Sequence, residues 1–407
     1  MPNETANAGA GEWRAGWPVV LAAAFGLGAT SLYFYSLGLI APQLHKAFGW
    51  TLAQITVAPV IISAVNLLAS SRVGVLVDRV GARRVAIPGY IAFCLALAAL
   101  GFAGPQLWTW YALWALLALS FVFTAPSVWT SSIVGAFDRA RGLAISLALC
   151  ALSVTTFLTP RIVVWASAQE SWRFAYVALG LGMLVAGAPV IFFAMPRGRR
   201  AAATPAPGAA PPAELAGVDF ATAVRGLRFW MVATTSLLIG AGVGSTVVFL
   251  PLVGLARGLT PSDVAGAAGL MGLAAIVGRL LSGVFLDRLP VRFVAAVIFA
   301  LPVVACGVLI GAHDVAGLTL VGVLLGVSSG GDFNVLAMLT GRYFGARSYA
   351  AIYGQVAAAF NIGVGVGPPL ASLAYERIGD FGPVLMGLIA LFGLTALIAA
   401  SLGREPS

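Results

Sequence analysis

The chain has 407 residues, of which 60% are hydrophobic and 9% charged. Soluble domains carry about 25% charged residues, so an ordinary water-facing protein is excluded and lipid must solvate much of this chain. The net charge of +9 does not indicate nucleic-acid binding, because the basic residues sit in small groups between apolar stretches rather than on one face or in a tail.

The first sixteen residues are small and polar, with no apolar core before Trp17. They do not read as a cleavable signal peptide; the apolar stretch that follows is expected to serve as an uncleaved signal and first span. Apolar stretches then fall at 17–43, 52–77, 85–104, 107–135, 142–168 and 172–195. A second set falls at 229–254, 262–286, 292–311, 315–340, 348–374 and 382–402. The spacing predicts an all-α membrane protein with twelve transmembrane helices. Between the sets, Pro196–Arg200 leads into an Ala/Pro-rich tract that reads as a semi-rigid linker. The expected organisation is a six-helix bundle over 1–195, a cytoplasmic linker over 196–222 and a second six-helix bundle over 223–407. Cys94, Cys150 and Cys306 lie apart inside apolar stretches and read as small buried hydrophobes.

Lys and Arg report orientation. With the N-terminus cytoplasmic, sixteen fall on the cytoplasmic side and four (Lys46, Arg173, Arg257, Arg377) on the other, while Arg72, Arg161 and Arg279 remain within spans. The positive-inside bias then places the chain in the inner cell membrane as a multi-pass protein with both termini cytoplasmic.

The two sets repeat. Gly74, Asp78, Arg79 and Arg83 recur as Gly283, Asp287, Arg288 and Arg292 at an offset of 209 residues, and Phe137 to Ile145 recurs as Phe344 to Ile352 at 207. Parallel repeats mark a transporter class whose substrate site lies between the halves near the midplane. The loop Gly74-x3-Asp78-Arg79-x-Gly81-x-Arg83-Arg84 resembles the signature of the major facilitator superfamily, and the resemblance covers nearly the whole chain. Physically, Gly74 would permit close helix contact, Asp78 would cap or salt-link a neighbouring helix end, and the Arg cluster would sit at the cytoplasmic surface. The motif reads as a conformational latch, although topogenic charge alone would also account for it.

A narrower resemblance is to the monocarboxylate porters and the oxalate–formate antiporter group. It rests on Tyr35 to Gly38, Phe48-Gly49-Trp50-Thr51, Phe229-Trp230, Gly278-Arg279 with Gly283 and Asp287-Arg288, and Gly363-x-Gly365-x-Gly367-Pro368. It implies alternating access with proton symport or anion exchange, and a substrate-binding Arg at the place of Arg279. Two departures stand out. Some monocarboxylate porters carry an acid one turn before that Arg, where this chain has Ala275; some dicarboxylate exchangers carry a Lys in span eleven, where it has Gln355 and Asn361. One central Arg suits one carboxylate.

Ionisable groups inside the bilayer are expensive and mark function or pairing. Arg279 lies eight residues before Asp287, ~12 Å along a helix, too deep to snorkel easily, and its guanidinium could hold a carboxylate bidentately. A structural ion pair is the competing role. Arg72 lies only ~9 Å from its helix end and can snorkel. Arg161 follows Pro160 and either lines a vestibule or caps a local carbonyl. Asp332, the lone acid well within a span, could carry a coupled proton or balance an Arg. Tyr33, Tyr35, Asn66, Asn334, Tyr353, Gln355 and Asn361 could complete a substrate site, and Phe157, Phe333 and Phe360 could wall it; each could equally be packing glue. His45 and His313 are expected in short outer loops, with no metal role.

The expected function is secondary active transport of a small organic anion, a monocarboxylate, by a monomer without cofactor, metal or nucleic-acid partner. A drug or other small-molecule proton antiporter of the same fold is the alternative, disfavoured by a cavity Arg that repels cations. An enzyme would need a facing nucleophile–base pair or metal ligands, and ATP-driven transport a Gly-x4-Gly-Lys-Ser/Thr loop; the chain contains neither pattern. A non-transporting sensor would be expected to carry an added output domain.

Overall fold

The computed structural model describes residues 2–137, 141–195, 217–345 and 347–403. Among the described residues, twelve segments are long and apolar enough to cross a bilayer. Spans one to six are Gly16–Phe48, Leu52–Ala69, Ala82–Phe102, Leu107–Ile133, Gly142–Gln169 and Trp172–Ala194. Spans seven to twelve are Leu227–Ala256, Pro261–Arg288, Val291–Gly311, Val315–Phe344, Ala351–Ile378 and Phe381–Ala400. They fall close to the stretches expected from hydropathy. Large apolar side chains such as Phe193 and Val185 are about three-quarters exposed, which is the surface expected where lipid is the solvent.

Three spans are broken where hydropathy indicated continuous helices; span two divides at Val57, between Leu52–Thr56 and Ala58–Val80. Span one consists of the end of helix Pro2–Ala29 and helix Leu32–Phe48. At the break, the Thr30 and Ser31 hydroxyls bond back to Leu27 O (2.6 Å) and Gly28 O (2.8 Å), and Ser31 Oγ meets Thr155 Oγ1 of span five at 2.6 Å. Span four breaks between Leu107–Val122 and Pro126–Ala136. Pro126 lacks the N–H that would continue the helix, and Trp129 Nε1 donates to the freed Thr124 carbonyl at 3.0 Å. Freed backbone groups at membrane depth are thus satisfied by side chains. Span two is prolonged, because its helix Ala58–Val80 runs through the Gly74 motif.

The chain forms two compact units, Met1–Ser36 with Ala64–Ala209, and Leu37–Ser63 with Ala210–Ser407. Residues 196–216, most of the expected linker, lie outside the described residues. Its described end is anchored in the second unit. Gly217 pairs with Gly345 in an isolated bridge, and Val218 N–H donates to Phe344 O at 2.9 Å. Asp219 then caps the short helix Phe220–Arg225. Hydrogen bonds from the Thr222 hydroxyl and N–H, and secondarily the charge of Arg347, hold the Asp219 carboxyl below its ordinary range.

In the first unit, spans three and six meet through Gly180, where a Cβ would lie 2.5 Å from Cys94 O. The core is aromatic: Tyr90, Phe93, Trp110, Trp114, Trp129 and Tyr176 are essentially fully buried. In the second unit, spans eight and ten pack backbone to backbone. A Cβ at Gly322, Gly326 or Gly330 would lie 2.4, 2.3 or 2.0 Å from Ala267 O, Met271 O or Ala275 O, and one at Gly278 would lie 2.0 Å from Val327 O. Spans seven and eleven repeat the device, with Gly240 against Phe360 O, Gly363 against Leu237 O and Gly367 against Ala241 O. Small residues four apart line one helix face, and without a hydrophobic gain between helices in lipid, such close packing holds them together. Gly363 and Gly367 of the Gly363-x-Gly365-x-Gly367 run therefore serve helix contact.

Adding one methyl at such a seam should be costly. Gly330→Ala is expected to lower stability by about 1–3 kcal/mol or more, read as a lower melting temperature in detergent. Gly387→Ala, where a Cβ meets nothing within 4 Å, should leave the melting temperature unchanged.

Candidate substrate site

In the second unit, the backbone around Arg279 is held from two directions. Gly278, immediately before it, is pressed against Val327 O of span ten. Its own carbonyl accepts from Asn334 Nδ2 (3.0 Å) and Ser282 Oγ (3.0 Å), and Asn334 Nδ2 also reaches Ser282 Oγ at 3.0 Å. Arg279 is half-buried. A long flexible side chain thus starts from a fixed point in the middle of span eight, and fixing the stem lowers the entropy lost on binding.

Beside Asn334, Phe333 turns to span eleven. Its ring lies 4.8 Å from that of Phe360, tilted by 54°, and the residue is 43% exposed. Phe360 is fixed in turn because its carbonyl abuts Gly240 of span seven. The Arg279 backbone, Asn334, Phe333 and Phe360 are therefore linked, through the Asn334 amide bond to Arg279 O and the adjacent Phe333–Phe360 ring pair. The other span-eleven candidates are not tied into it. Tyr353 stacks on Tyr349 at 5.6 Å, Gln355 is exposed, and Asn361 Nδ2 bonds back to Ala357 O at 2.8 Å.

The first-unit candidates are distributed differently. Tyr33 packs edge-on against Trp114 and Phe121 of span four at 5.6 and 6.0 Å. Tyr35 lies against Phe34 at 5.3 Å. Asn66 Oδ1 is buried without a hydrogen-bond partner. Arg161 folds onto its own helix, donating to Phe157 O at 2.8 Å with its guanidinium 3.9 Å from the Phe157 ring centre. Of the two roles open to Arg161, this geometry makes the local cap. Arg72 is exposed, as a snorkelling side chain would be.

Asp332 is 1% exposed. Its Oδ1 lies 3.4 Å from Ser328 Oγ, and its Oδ2 has no partner. Neither oxygen meets a cation, so the counter-ion role finds no partner among the described residues.

The motif residues are informative within each unit. Gly81 adopts φ +88° at the start of span three, where a side chain would be strained. Arg83 donates to Met195 O and, at 2.7 Å, to Phe192 O, with its guanidinium 5.2 Å from the Phe192 ring centre. It ties the start of span three to the carbonyl end of span six, where a cation is favoured. Arg79, Arg84, Asp287 and Arg288 are exposed, and the Asp78 side chain lies outside the described residues. Among the described residues a Cβ at Gly74 or Gly283 would meet nothing within 4 Å, so the close contact expected at Gly74 is not made with any of them. The loop histidines divide: His313 lies off the helices, whereas His45 ends a helix, with Nδ1 2.8 Å from Trp50 O.

Three further arginines cap helix ends. Arg173 donates to Gly101 O at 2.8 Å, Arg257 to Leu309, Ile310 and Ala312 carbonyls, and Arg342 to Leu286 O at 3.0 Å. Counted as loop charges for topology, they carried no sequence signal of which carbonyls they reach. A second network was likewise not legible. Residues of the Leu37–Ser63 segment bond to span eleven: Ala53 N–H to Glu376 Oε1 (2.6 Å), Thr56 Oγ1 to Ser372 Oγ (3.1 Å) and Ser63 Oγ to Asn361 O (2.8 Å).

Comparison with known proteins gives a concordant picture. The family profile described as Major Facilitator Superfamily matches residues 21–316. Human monocarboxylate transporter 11 is 27% identical, over 94% of this chain and 82% of its own length. The 3-(3-hydroxy-phenyl)propionate transporter of Escherichia coli K12 is 26% identical, over 81% and 80%. A crystal structure of a bacterial homolog to human lysosomal transporter Spinster, inward-facing and occupied, superposes with a TM-score of 0.70 at 15% identity, covering 96% of both chains.

The hydrogen bonds of Asn334 to span eight make a direct test of the patch. Asn334→Ala removes both and is expected to cost about 1–2 kcal/mol, seen as a lower melting temperature, whereas Gln355→Ala at an exposed position should cost less than 0.5 kcal/mol.

Proposed function

Because the chain belongs to the major facilitator superfamily, we propose that it moves a small organic monocarboxylate across the membrane by alternating access, with Arg279 as the carboxylate-binding residue. It is a multi-pass membrane transporter and not an enzyme. The observation that carries the proposal is the Arg279 patch. Arg279 is half-buried, its backbone carbonyl is held by Asn334, and the neighbouring Phe333 pairs with Phe360. A guanidinium in a low-dielectric site pairs strongly with a carboxylate, and an exposed aromatic face suits the apolar tail of an organic acid. Two of its relatives bear names that specify acids, a monocarboxylate and a hydroxyphenylpropionate.

In this reading the bundles over 1–195 and 223–407, joined by a cytoplasmic linker over 196–222, rock about the substrate. The excess of Lys and Arg on one side supports an inner-membrane protein with both termini cytoplasmic; a monomer is the proposed unit. Tyr33, Tyr35, Asn66, Arg161, Tyr353, Gln355 and Asn361 are the reserve of polar groups for other states of the cycle, and the motif residues Gly74, Asp78, Arg79, Gly81, Arg83, Arg84, Gly283, Asp287 and Arg288 the conformational latch. A drug or cation antiporter would have to place a cation near Arg279, which Coulomb repulsion opposes.

Counterflow in proteoliposomes with labelled lactate, benzoate and 3-phenylpropionate tests the assignment. Wild type is expected to exchange at least one of them. Arg279→Ala should slow that exchange by roughly 10- to 100-fold, the worth of a lost charge-assisted hydrogen bond, and Arg279→Lys by less. Equal exchange by wild type and Arg279→Ala would remove Arg279 from the substrate site.

A further inference from the structure

We propose that Asp332 is a proton-binding site, loaded with its proton in the state described here, and that span ten transmits its protonation to Arg279. The coupling to Arg279 rests on the transport reading above; the proton site itself does not.

A hydroxyl has one proton to give and two lone pairs to receive with. Ser328 Oγ spends its proton on Ile298 O of span nine at 2.9 Å. At 3.4 Å from Asp332 Oδ1 the Ser328 hydroxyl therefore gives that oxygen no more than a weak, shared hydrogen bond. Oδ2 receives nothing. An ionised carboxylate buried to this depth needs cations or several N–H donors, and none among the described residues is in contact with it. The nearest ionisable groups on the helices packed against span ten are committed or remote. The contacts of Asp332 include no guanidinium, neither that of Arg279 on span eight nor any other among the described residues. On span nine, Arg292 and Cys306 lie six and eight residues from Ile298, ~9 and ~12 Å along the helix. Tyr353 of span eleven stacks on Tyr349, and span seven has no charged residue between Arg228 and Arg257. On span ten itself, Arg342 is ~15 Å away. The remaining partner for the carboxyl is a proton.

Span ten links this site to the anion patch. Asp332 is engaged on the face that meets Ile298. Two residues on, Asn334 holds Arg279 O and Ser282 Oγ. One residue before Asp332, a Cβ at Gly331 would touch both Ile298 and Ser282 at 3.1–3.3 Å, so span ten is wedged between spans eight and nine there. Ionisation of Asp332 requires water, hence separation of this wedge, and that movement draws Asn334 from Arg279. Proton on Asp332 and anion on Arg279 therefore favour one another, and by linkage each raises the affinity for the other.

Infrared spectroscopy of the purified protein in lipid reads the proton directly. At pH 7, wild type should show the C=O stretch of a protonated carboxyl, and Asp332→Asn should lose it; the same band in both overturns the site. If Asp332→Asn does not fold, Ser328→Ala must move the band of wild type, and an unmoved band overturns the site equally. The second arm is uptake of labelled lactate, benzoate and 3-phenylpropionate. An inwardly directed proton gradient should drive accumulation by wild type, and Asp332→Asn should lose that response while still performing counterflow. Gradient-driven accumulation retained by Asp332→Asn overturns the coupling. If wild type moves none of these acids, the substrate reading fails and with it the coupling to Arg279, while the infrared result still decides the proton site.

Discussion

Two helices in lipid gain nothing from hiding apolar side chains from one another, since the lipid tails are as apolar as the helices. What remains is the closeness of backbone to backbone. In the second unit that closeness is bought by glycine, at Gly322, Gly326 and Gly330 of span ten and at Gly278 of span eight. The seam is the constraint from which the local arrangement follows. It sets the register between the two helices, and the register decides that Asn334 meets the carbonyl of Arg279 and Ser282. Spans seven and eleven are held by the same device, which places Phe360 where its ring reaches Phe333.

Polar chemistry is confined to places where this packing allows it. Buried hydroxyls mostly bond back to their own helices, as Thr235, Thr246, Thr340 and Thr395 do at 2.7–3.1 Å, so they add no uncompensated polarity to the interior. Arginines at span ends give their guanidinium groups to the carbonyl ends of other helices, as Arg83, Arg173, Arg257 and Arg342 do. These contacts satisfy carbonyls that a helix end leaves open and fasten one helix to another. Against that background four described residues keep a buried side-chain atom without a partner, Asn66, Trp114, Tyr176 and Asp332, and Asp332 is the acid among them.

The repeat is faithful in architecture and loose in detail. Gly101 and Ile310 are related by the same 209-residue offset as the motif, and both carbonyls are capped by an arginine. Yet the arginine comes from the start of span six in one unit and from the end of span seven in the other. Arg83 fastens span three to span six, whereas its counterpart Arg292 lies 4.7 Å from its neighbour Phe293. The caps have been supplied from whichever loop lies near.

Hydropathy and charge alone determined the number of spans, because twenty apolar residues have no alternative to a helix across lipid. The motif and its echo identified the family, and the depth of Arg279 and Asp332 followed from counting residues along a helix. Breaks at Thr30–Ser31 and Phe123–Ala125 were invisible, since hydropathy averages over the few residues that interrupt a helix. The facing of side chains was likewise invisible: Arg161 turned to Phe157, Asn361 to Ala357, and Asn334 to Arg279. Which carbonyl an arginine caps, and whether an acid meets a cation, depend on helix register. Register is set by the close approach of glycines on neighbouring helices, and only the tertiary structure decides it.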